Sequence, residues 1–525
     1  MDVDVVVIGS GAGGLTAAVA LARAGKKVLV VEQHYLPGGW CHSFNLDKHR
    51  FSPGVHYIGE TYPGGRMRAI LDGLDVRDIS FLELNPDGFD HVQVGSDKFD
   101  ICKGRARLAE RLADRFPRER KGIHAYLSAV ERIGDELGAL FEIRPRDLWR
   151  LPFRARTALR WALSSTRSLV NSHVTDPLLR AILVAQSGDH GLPPSQAPAL
   201  LHASVVHHYF GGGFYPKGGG GSIPRAFIRS LRRAGGDIKV RTEVTQILLE
   251  GRRAIGVRLA DGTEVRADIV VSNADPQVTY GKLLPRAALS RKLVRRLART
   301  RWSTSSLSLF FATDMDLRAA GYDSGNYWYY PTTDIERTYR MGKEPWGPDV
   351  PELPGFFLTV TTLKDPSKMK GGHHSMEAFT FVGYDAWKGW EESKVGERPA
   401  EYNAWKERLM DKMIANADRI VPGLRDRVTF AELGTPLTNK FYCAATAGNL
   451  YGTEKTLGQL GPFSYPVTSE IDGLYLCGAS TLGHGVMGAA LSGIAVAKSV
   501  LRVRSAEILA PRAAAPPREA VDAAA

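Results

Sequence analysis

Asp2-Val3-Asp4-Val5-Val6-Val7-Ile8-Gly9-Ser10-Gly11-Ala12-Gly13-Gly14-Leu15 begins a stretch, running to Gln33, whose reading decides the fold. The β-branched run Val3 to Ile8 suits a strand buried on both faces. Gly9, Gly11 and Gly14 follow at G-x-G-x-x-G spacing, with Gly13 between the last two. Gly9 permits a tight turn, Gly11 admits a pyrophosphate to the backbone, and Gly14 brings the following helix close to the strand. Leu15 to Ala24 is rich in alanine and leucine and reads as that helix, with Gly25 where it stops. Val28 to Val31 is the next strand, and Glu32 ends it, close to the expected ~20 residues downstream of the glycines. Strand, turn, helix, strand and acid together predict a dinucleotide-binding unit. Glu32 suits a free ribose 2′-hydroxyl and repels a 2′-phosphate, which favours FAD or NAD over NADP.

The chain around this unit has 525 residues, enough for two or more domains. Its 44% hydrophobic and 24% charged content is that of an ordinary globular protein. A net charge of +12 would suit an anionic membrane surface or nucleic acid, or only a solvated basic face. No arginine-glycine repeat, zinc spacing or RNA-binding signature accompanies it, so nucleic acid is not an expected partner. Cys41, Cys102, Cys443 and Cys477 are far apart, which predicts a reducing compartment with neither a disulfide framework nor a zinc site. The chain opens directly into the first strand, and no apolar run approaches the ~18 residues of a membrane span. A cytoplasmic protein is expected, with peripheral membrane contact open.

Beyond Glu32, the pair Gly38-Gly39 marks backbone passing close to a ligand, and it leads into Trp40-Cys41-His42-Ser43-Phe44. The segment Arg50-Phe51-Ser52-Pro53-Gly54-Val55-His56-Tyr57-Ile58-Gly59 follows. These two segments resemble the flavoprotein family of phytoene desaturases, carotenoid isomerases and retinol saturases, and most closely its retinol saturase branch. That branch carries Gly-Gly-x-Cys-His-x-Phe before His-Tyr-Ile-Gly. Members often have an acid where Ser52 stands, so this chain departs from the pattern there. Tyr215-Pro216-Lys217-Gly218-Gly219-Gly220-Gly221-Ser222 resembles the family's Tyr-Pro-x-Gly-Gly entry to a helix. The resemblance implies that the strand containing Val244 lies on FAD, with Val244 a backbone contact on the adenine side. It further implies that Ser272-Asn273-Ala274-Asp275-Pro276 is the exit from the dinucleotide domain. Near the end, Gly473 to Ser480 reads as a strand entering a glycine turn at Gly478, and Thr481 to Ala490, with Gly488, opens a last helix. This resembles the family's C-terminal flavin motif, with a helix N-terminus presented to the flavin. Many flavoproteins have an Asp where Ala479 stands; its absence matches the desaturase branch.

The expected fold is thus α/β: a discontinuous Rossmann-type FAD-binding domain, a mixed α+β substrate domain and a helical cap. The FAD-binding portions are placed at 1–100, 201–276 and 426–507. The cap and first substrate portion are placed at 101–200, the second substrate portion at 277–425, and a disordered Ala/Pro-rich tail at 508–525. Residues 105–170 are read as helical and arginine-rich: Arg144, Arg146, Arg150, Arg154, Arg156, Arg160 and Arg167 interleave with Leu148, Trp149, Leu151, Phe153, Leu159, Trp161 and Leu163. That pattern fits a membrane interface or a cap with a charged outer face. Leu307 to Ala312 and Gly355 to Thr362 are expected as sheet strands, and Tyr327 to Tyr330 and Phe379 to Phe381 as walls of an apolar tunnel or as ordinary core.

Only one complete strand, glycine turn, helix, strand and acid unit is visible, so NAD(P) is expected only as a transient electron partner, if at all. The leading functional expectation is an FAD-dependent oxidoreductase acting on a double bond of an apolar polyene, retinoid or carotenoid, by saturation, desaturation or isomerisation. Candidate proton donors are His56, ranked first because the family motif brings its segment toward the flavin, then His42 and His484; each is also readable as a structural histidine. Competing readings are an amine-oxidase-like flavoenzyme and a non-catalytic flavin-bearing module at a membrane surface.

Overall fold

The computed structural model describes residues 2–140, 149–344, 346 and 353–510. Its first sheet grows from the strand Asp2–Ile8, which is flanked by parallel strands on both sides, Val28–Val31 and Glu264–Ser272. Asp237–Lys239 extends the sheet in parallel beyond Val28–Val31. The long strand Glu264–Ser272 pairs antiparallel with Arg253–Leu259 near its start and parallel with Leu474–Leu476 at its end. Val244–Glu250 closes the far edge, where Val244 opens the strand. The central strands are apolar without alternation because helices cover one face and the hairpin layer covers the other. The α/β dinucleotide-binding architecture expected from the sequence is the one present. The stretches read as two strands, Glu264 to Ala267 and Asp268 to Val271, are one continuous strand.

Helix Ala12–Arg23 packs along the sheet against the last long helix, Gly485–Leu501, and against Ser222–Arg233. The approach is close because glycines face it. A Cβ on Gly493 would lie 2.4 Å from the Gly13 carbonyl, and one on Gly14 would lie 2.3 Å from the Gly9 carbonyl.

Among the described residues the second sheet has seven strands in the order Val428–Gly434, Ser305–Thr313, His374–Val382, Phe356–Val360, Asn326–Tyr330, Asp90–Val94, Asp97–Ile101. Residues 90–100, placed by the sequence reading in the first FAD-binding portion, belong to the hairpin Asp90–Val94 and Asp97–Ile101 of this sheet. The reason is pairing: their hairpin adds in parallel to Asn326–Tyr330, a partner far along the chain that local pattern cannot reveal. One face of the sheet packs on the helix Ala400–Ile420. The other joins a helical layer that includes Arg105–Arg115, Arg120–Leu140 and Ala199–His208.

Within the arginine-rich segment, short helices Leu151–Arg154, Arg156–Trp161 and Thr166–Asn171 replace the longer run expected. Arg144, Arg146 and Leu148, and the tail from residue 511, lie outside the described residues. Ser505–Ile508, just before that tail, is a helical turn with Ile508 buried. Among the described residues no helix is long and apolar enough to cross a membrane.

Candidate functional site: a glycine-lined cleft opening into an apolar chamber

Between the two sheets lies a cavity of about 840 Å³. Its walls come from most of the segments read above as motifs: Gly9 and Gly11, Glu32, Gly38 and Gly39, His56, Val244, Gly478, His484 and Gly488; Tyr215 to Ser222 does not reach it. Gly13, Gly14 and His42 are not among the lining residues. The two glycines act behind the wall. A Cβ on Gly13 would come within 2.8 Å of the Gly478 amide nitrogen. The Gly14 amide donates to Asn273 Oδ1 at 2.9 Å. His42 is turned away because its Nδ1 hydrogen-bonds back to the Gly39 carbonyl at 2.6 Å and its ring packs on His34 and Phe44. Burial lowers His42 to about 4, so it is a neutral, structural imidazole at neutral pH.

Two helix N-termini bound the glycine-lined end. Ala12–Arg23 is capped by Gly11 and Gly485–Leu501 by His484, neither with a side-chain hydrogen bond. Apart from the Gly14 amide, which Asn273 takes, their leading amides and dipole ends therefore remain available to anionic groups of a ligand. Glu32, at the end of Val28–Val31, is held in place. Its Oε2 accepts from the Ser10 amide at 2.9 Å and the Ser10 hydroxyl at 2.6 Å, and its Oε1 accepts from the His34 amide at 2.9 Å. Ser10 Oγ in turn accepts from the Gly38 amide, which joins the first glycine turn to the second. One acceptor position of the carboxylate remains for a ribose hydroxyl. The residues thus fit a flavin dinucleotide: two uncapped helix ends for its phosphates and flavin, an acid for its ribose, and backbone held bare by glycine. His484 Nδ1 is also buried and unpartnered among the described residues.

The other end of the cavity is apolar. Phe357 and Phe379 stack with ring centroids 4.6 Å apart, and Leu200, Leu201, Val205, Tyr209 and Leu450 continue the wall. Phe379 thus lines the chamber as the sequence suggested, but Tyr327 to Tyr330 do not. Trp328 supports Phe357 from behind, with centroids 4.7 Å apart. His56 stacks on Phe379 at 5.5 Å, and its Nδ1 lies 3.1 Å from Glu377 Oε2. The same buried carboxylate accepts from the Ser52 amide at 2.7 Å through Oε1. At the position where the family pattern often has an acid, this chain has Ser52 and brings in a carboxylate from the second sheet. The hydroxyls of Ser43 and Ser52 cap the amides of Gly221 and Gly220.

His484 lines the junction of the two ends. Its Nε2 hydrogen-bonds to the Asp189 carbonyl at 2.8 Å, so Nε2 carries the ring proton. Burial lowers its titration to about 4, which leaves it a poor proton donor at neutral pH. Sequence reasoning missed Ser10, Asn273, Glu377, Asp90 and Asp189. Asn273 stood inside a quoted segment but was read only as a domain boundary. The acids carry no local motif.

Comparison with known proteins places this geometry. The family of flavin-containing amine oxidoreductases matches residues 12–398. The all-trans-retinol 13,14-reductase of Danio rerio is 32% identical over 96% of this chain and 86% of its own length. A chloroplastic prolycopene isomerase of an Oncidium hybrid cultivar is 29% identical over 95% of this chain and 84% of its own. Among solved structures, a putrescine oxidase with putrescine bound covers 96% of this chain and 100% of its own, at a TM-score of 0.64 and 14% identity, a likeness of fold.

Proposed function

From the premise that this chain belongs to the flavin-containing amine oxidoreductase family, and so is an FAD-dependent oxidoreductase, we propose that it acts on a carbon–carbon double bond of an apolar isoprenoid polyene, most like a retinol saturase. The observation that carries this reading is the continuity of the cavity: a glycine-lined cleft fit for FAD runs into a chamber walled by Phe357, Phe379, Leu200, Val205 and Leu450. A long apolar chain is the ligand such walls favour. The retinol reductase and prolycopene isomerase relatives, aligned over nearly the whole chain, support the same substrate class.

FAD, when bound, supplies two-electron chemistry at its flavin ring. Gly9, Gly11, Gly38, Gly39, Gly478 and Gly488 leave its path open, Gly13 and Gly14 let the helices close around it, Glu32 receives the ribose, and Val244 meets the adenine side. The aromatic walls exclude water and hold one double bond against the flavin end, and His56 presents a polar ring, oriented by Glu377, to the chain between Phe357 and Phe379. A nicotinamide is assigned at most a transient visit as electron donor, since the chain shows one complete strand, glycine turn, helix, strand and acid unit.

The membrane belongs to the same reading. Trp149, Phe153, Leu159 and Leu163 are exposed, Phe153 at 82% and Leu163 at 85%, and Arg154, Arg156 and Arg160 are exposed beside them. This mixture suits an anionic lipid interface. Its helix Arg156–Trp161 packs on Arg120–Leu140 and Ala199–His208, whose Leu137, Leu200, Leu201 and Val205 line the chamber from inside. A substrate dissolved in lipid would thus meet the protein where only one helical layer separates surface from cavity.

The test is a mixed substrate panel under anaerobic conditions. Reoxidation of chemically reduced holoenzyme by long apolar polyenes, with no bleaching of oxidised holoenzyme by primary amines, is expected. Bleaching by amines with indifference to every polyene would overturn the reading in favour of an amine oxidase.

A further inference from the structure

A chain of buried polar groups runs from the second sheet to the chamber and ends on Asp189. Lys364 Nζ donates to the His56 carbonyl at 2.7 Å and to Asn326 Oδ1 at 2.5 Å. Asn326 Nδ2 donates to Asp90 Oδ1 at 2.9 Å, and Gln186 Nε2 donates to Asp90 Oδ2 at 2.8 Å. The Tyr57 hydroxyl oxygen then sits between two acids, 3.2 Å from Asp90 Oδ2 and 3.0 Å from Asp189 Oδ2. Asp90, Asn326, Gln186 and Lys364 are buried away from both solvent and cavity, whereas Tyr57 and Asp189 reach the cavity wall.

Counting protons decides which acid is neutral. A tyrosine hydroxyl has one proton to give and lone pairs to receive. It can donate to one carboxylate only, so the second carboxyl must be the donor in its own contact. Burial raises Asp90 to about 6, but its two amide donors, the Tyr57 hydroxyl and the nearby Lys364 work against that rise, so of the two acids it carries the charge more readily. Asp189 has the Tyr57 hydroxyl as the partner of its carboxyl and lines the cavity. Burial, followed by the charge of Asp90, holds Asp189 well above the usual carboxylate range, in agreement with the count. Its turn is fixed at the flavin-facing end: His484 binds the Asp189 carbonyl, and the Tyr451 hydroxyl donates to the Gly188 carbonyl at 2.7 Å.

We propose that Asp189 is the general acid of this site, the group that protonates the polyene carbon next to the one that receives hydride. The assignment rests on the polyene-reductase reading above and deepens it. Saturating one double bond adds H⁻ and H⁺. The hydride and its two electrons come from reduced FAD, the co-reactant of the reaction. The Asp189 O–H bond breaks, a C–H bond forms, and Asp189 is left a carboxylate. At that moment Tyr57 can rotate its proton from Asp90 to Asp189, so the new anion finds a donor already in contact, while Asp90 keeps its two amides. Asp189 regains its proton from water once product leaves. His56, fixed to Glu377 and stacked among phenylalanines, positions the chain instead.

The test compares FAD-loaded wild type, Asp189→Asn, His56→Asn and Tyr57→Phe. Asp189→Asn should bind FAD at the same stoichiometry yet reduce polyene roughly a hundredfold to ten-thousandfold more slowly, the range for loss of a positioned acid. His56→Asn should weaken polyene binding with a far smaller effect on the bound-state rate. The infrared spectrum of the wild type at pH 7 should show a carboxylic-acid carbonyl band that is absent from Asp189→Asn and shifted in Tyr57→Phe, a readout that needs no turnover and, through Tyr57→Phe, no folded Asp189→Asn. An Asp189→Asn protein that reduces polyene within threefold of wild type, or an Asp189 found ionised at pH 7, would overturn the assignment while leaving the polyene reading intact. A wild type that transforms no polyene at all would refute that reading, and the role of Asp189 with it.

Discussion

Replacing Glu32 by glutamine changes one oxygen to an NH₂, and the structure says that this is not a mild change. The carboxylate accepts three hydrogen bonds, from Ser10 N at 2.9 Å, Ser10 Oγ at 2.6 Å and His34 N at 2.9 Å. Ser10 is fully buried, so water cannot replace a lost partner there. The glutamine would keep its carbonyl on Ser10 and turn its NH₂ toward the His34 amide, leaving donor against donor. That contact costs about 1–3 kcal/mol, and each of the two surviving bonds falls from charge-assisted to neutral at about 1 kcal/mol. The total is roughly 3–5 kcal/mol, borne by the turn joining the first and second glycine motifs. The assay is hydrogen–deuterium exchange of the apo-protein, read on peptides covering residues 8–38. Protection of the Ser10 and His34 amides should fall roughly a hundredfold to a few thousandfold, at about 1.4 kcal/mol per tenfold. A parallel FAD titration should show affinity reduced further in Glu32→Ala, by about 1–3 kcal/mol for the ribose contact. Unchanged exchange in Glu32→Gln would refute the argument that this carboxylate holds the turn.

Other expectations follow from the same geometry. In Gly11→Val, a side chain starting 2.5 Å from Asn273 Nδ2 displaces the residue that holds the Gly14 amide and blocks the pyrophosphate path; the folded protein should lack the flavin spectrum, and stoichiometric FAD in it would be contrary evidence. Binding to anionic liposomes should fall steeply with salt and fall again in a protein with Arg150, Arg154 and Arg160 changed to Gln; co-sedimentation indifferent to both would return the segment to a solvated cap. The rate of polyene reduction by pre-reduced protein should decline as pH rises, because the active form of Asp189 is the protonated one and its titration lies above the usual carboxylate range; a rate that instead declines toward acid would count against it.

The parts of this site that the sequence displays are those with local periodicity. The strand Asp2–Ile8, its glycine turn and Ala12–Arg23 lie in one unbroken run, where apolar pattern and spacing suffice. The last helix is legible for the same reason. His42 shows where motif and role part: it stands within a readable segment, yet one bond to the Gly39 carbonyl turns its ring behind the wall. The run Tyr327 to Tyr330 alternates faces in a strand, and nothing local says which face meets the cavity. The Asp90, Tyr57 and Asp189 cluster was beyond sequence reasoning altogether. Its members come from a sheet strand, a loop and a short turn; the pairing of Asp90–Val94 with Asn326–Tyr330 brings Asn326 to them, and the pairing of Asn326–Tyr330 with Phe356–Val360 brings Lys364.

The central claim is that one cavity holds FAD and an apolar polyene end to end and adds hydrogen across a double bond. The most direct measurement is the mass of the product formed without oxygen, from one sample with FAD reduced chemically and one with FAD oxidised, each given the same polyene in detergent. The account predicts product heavier by two hydrogens from the reduced sample only, with flavin reoxidised in step. Product of unchanged mass with flavin still reduced would contradict it in favour of an isomerase, and product lighter by two hydrogens from the oxidised sample would contradict it in favour of a desaturase.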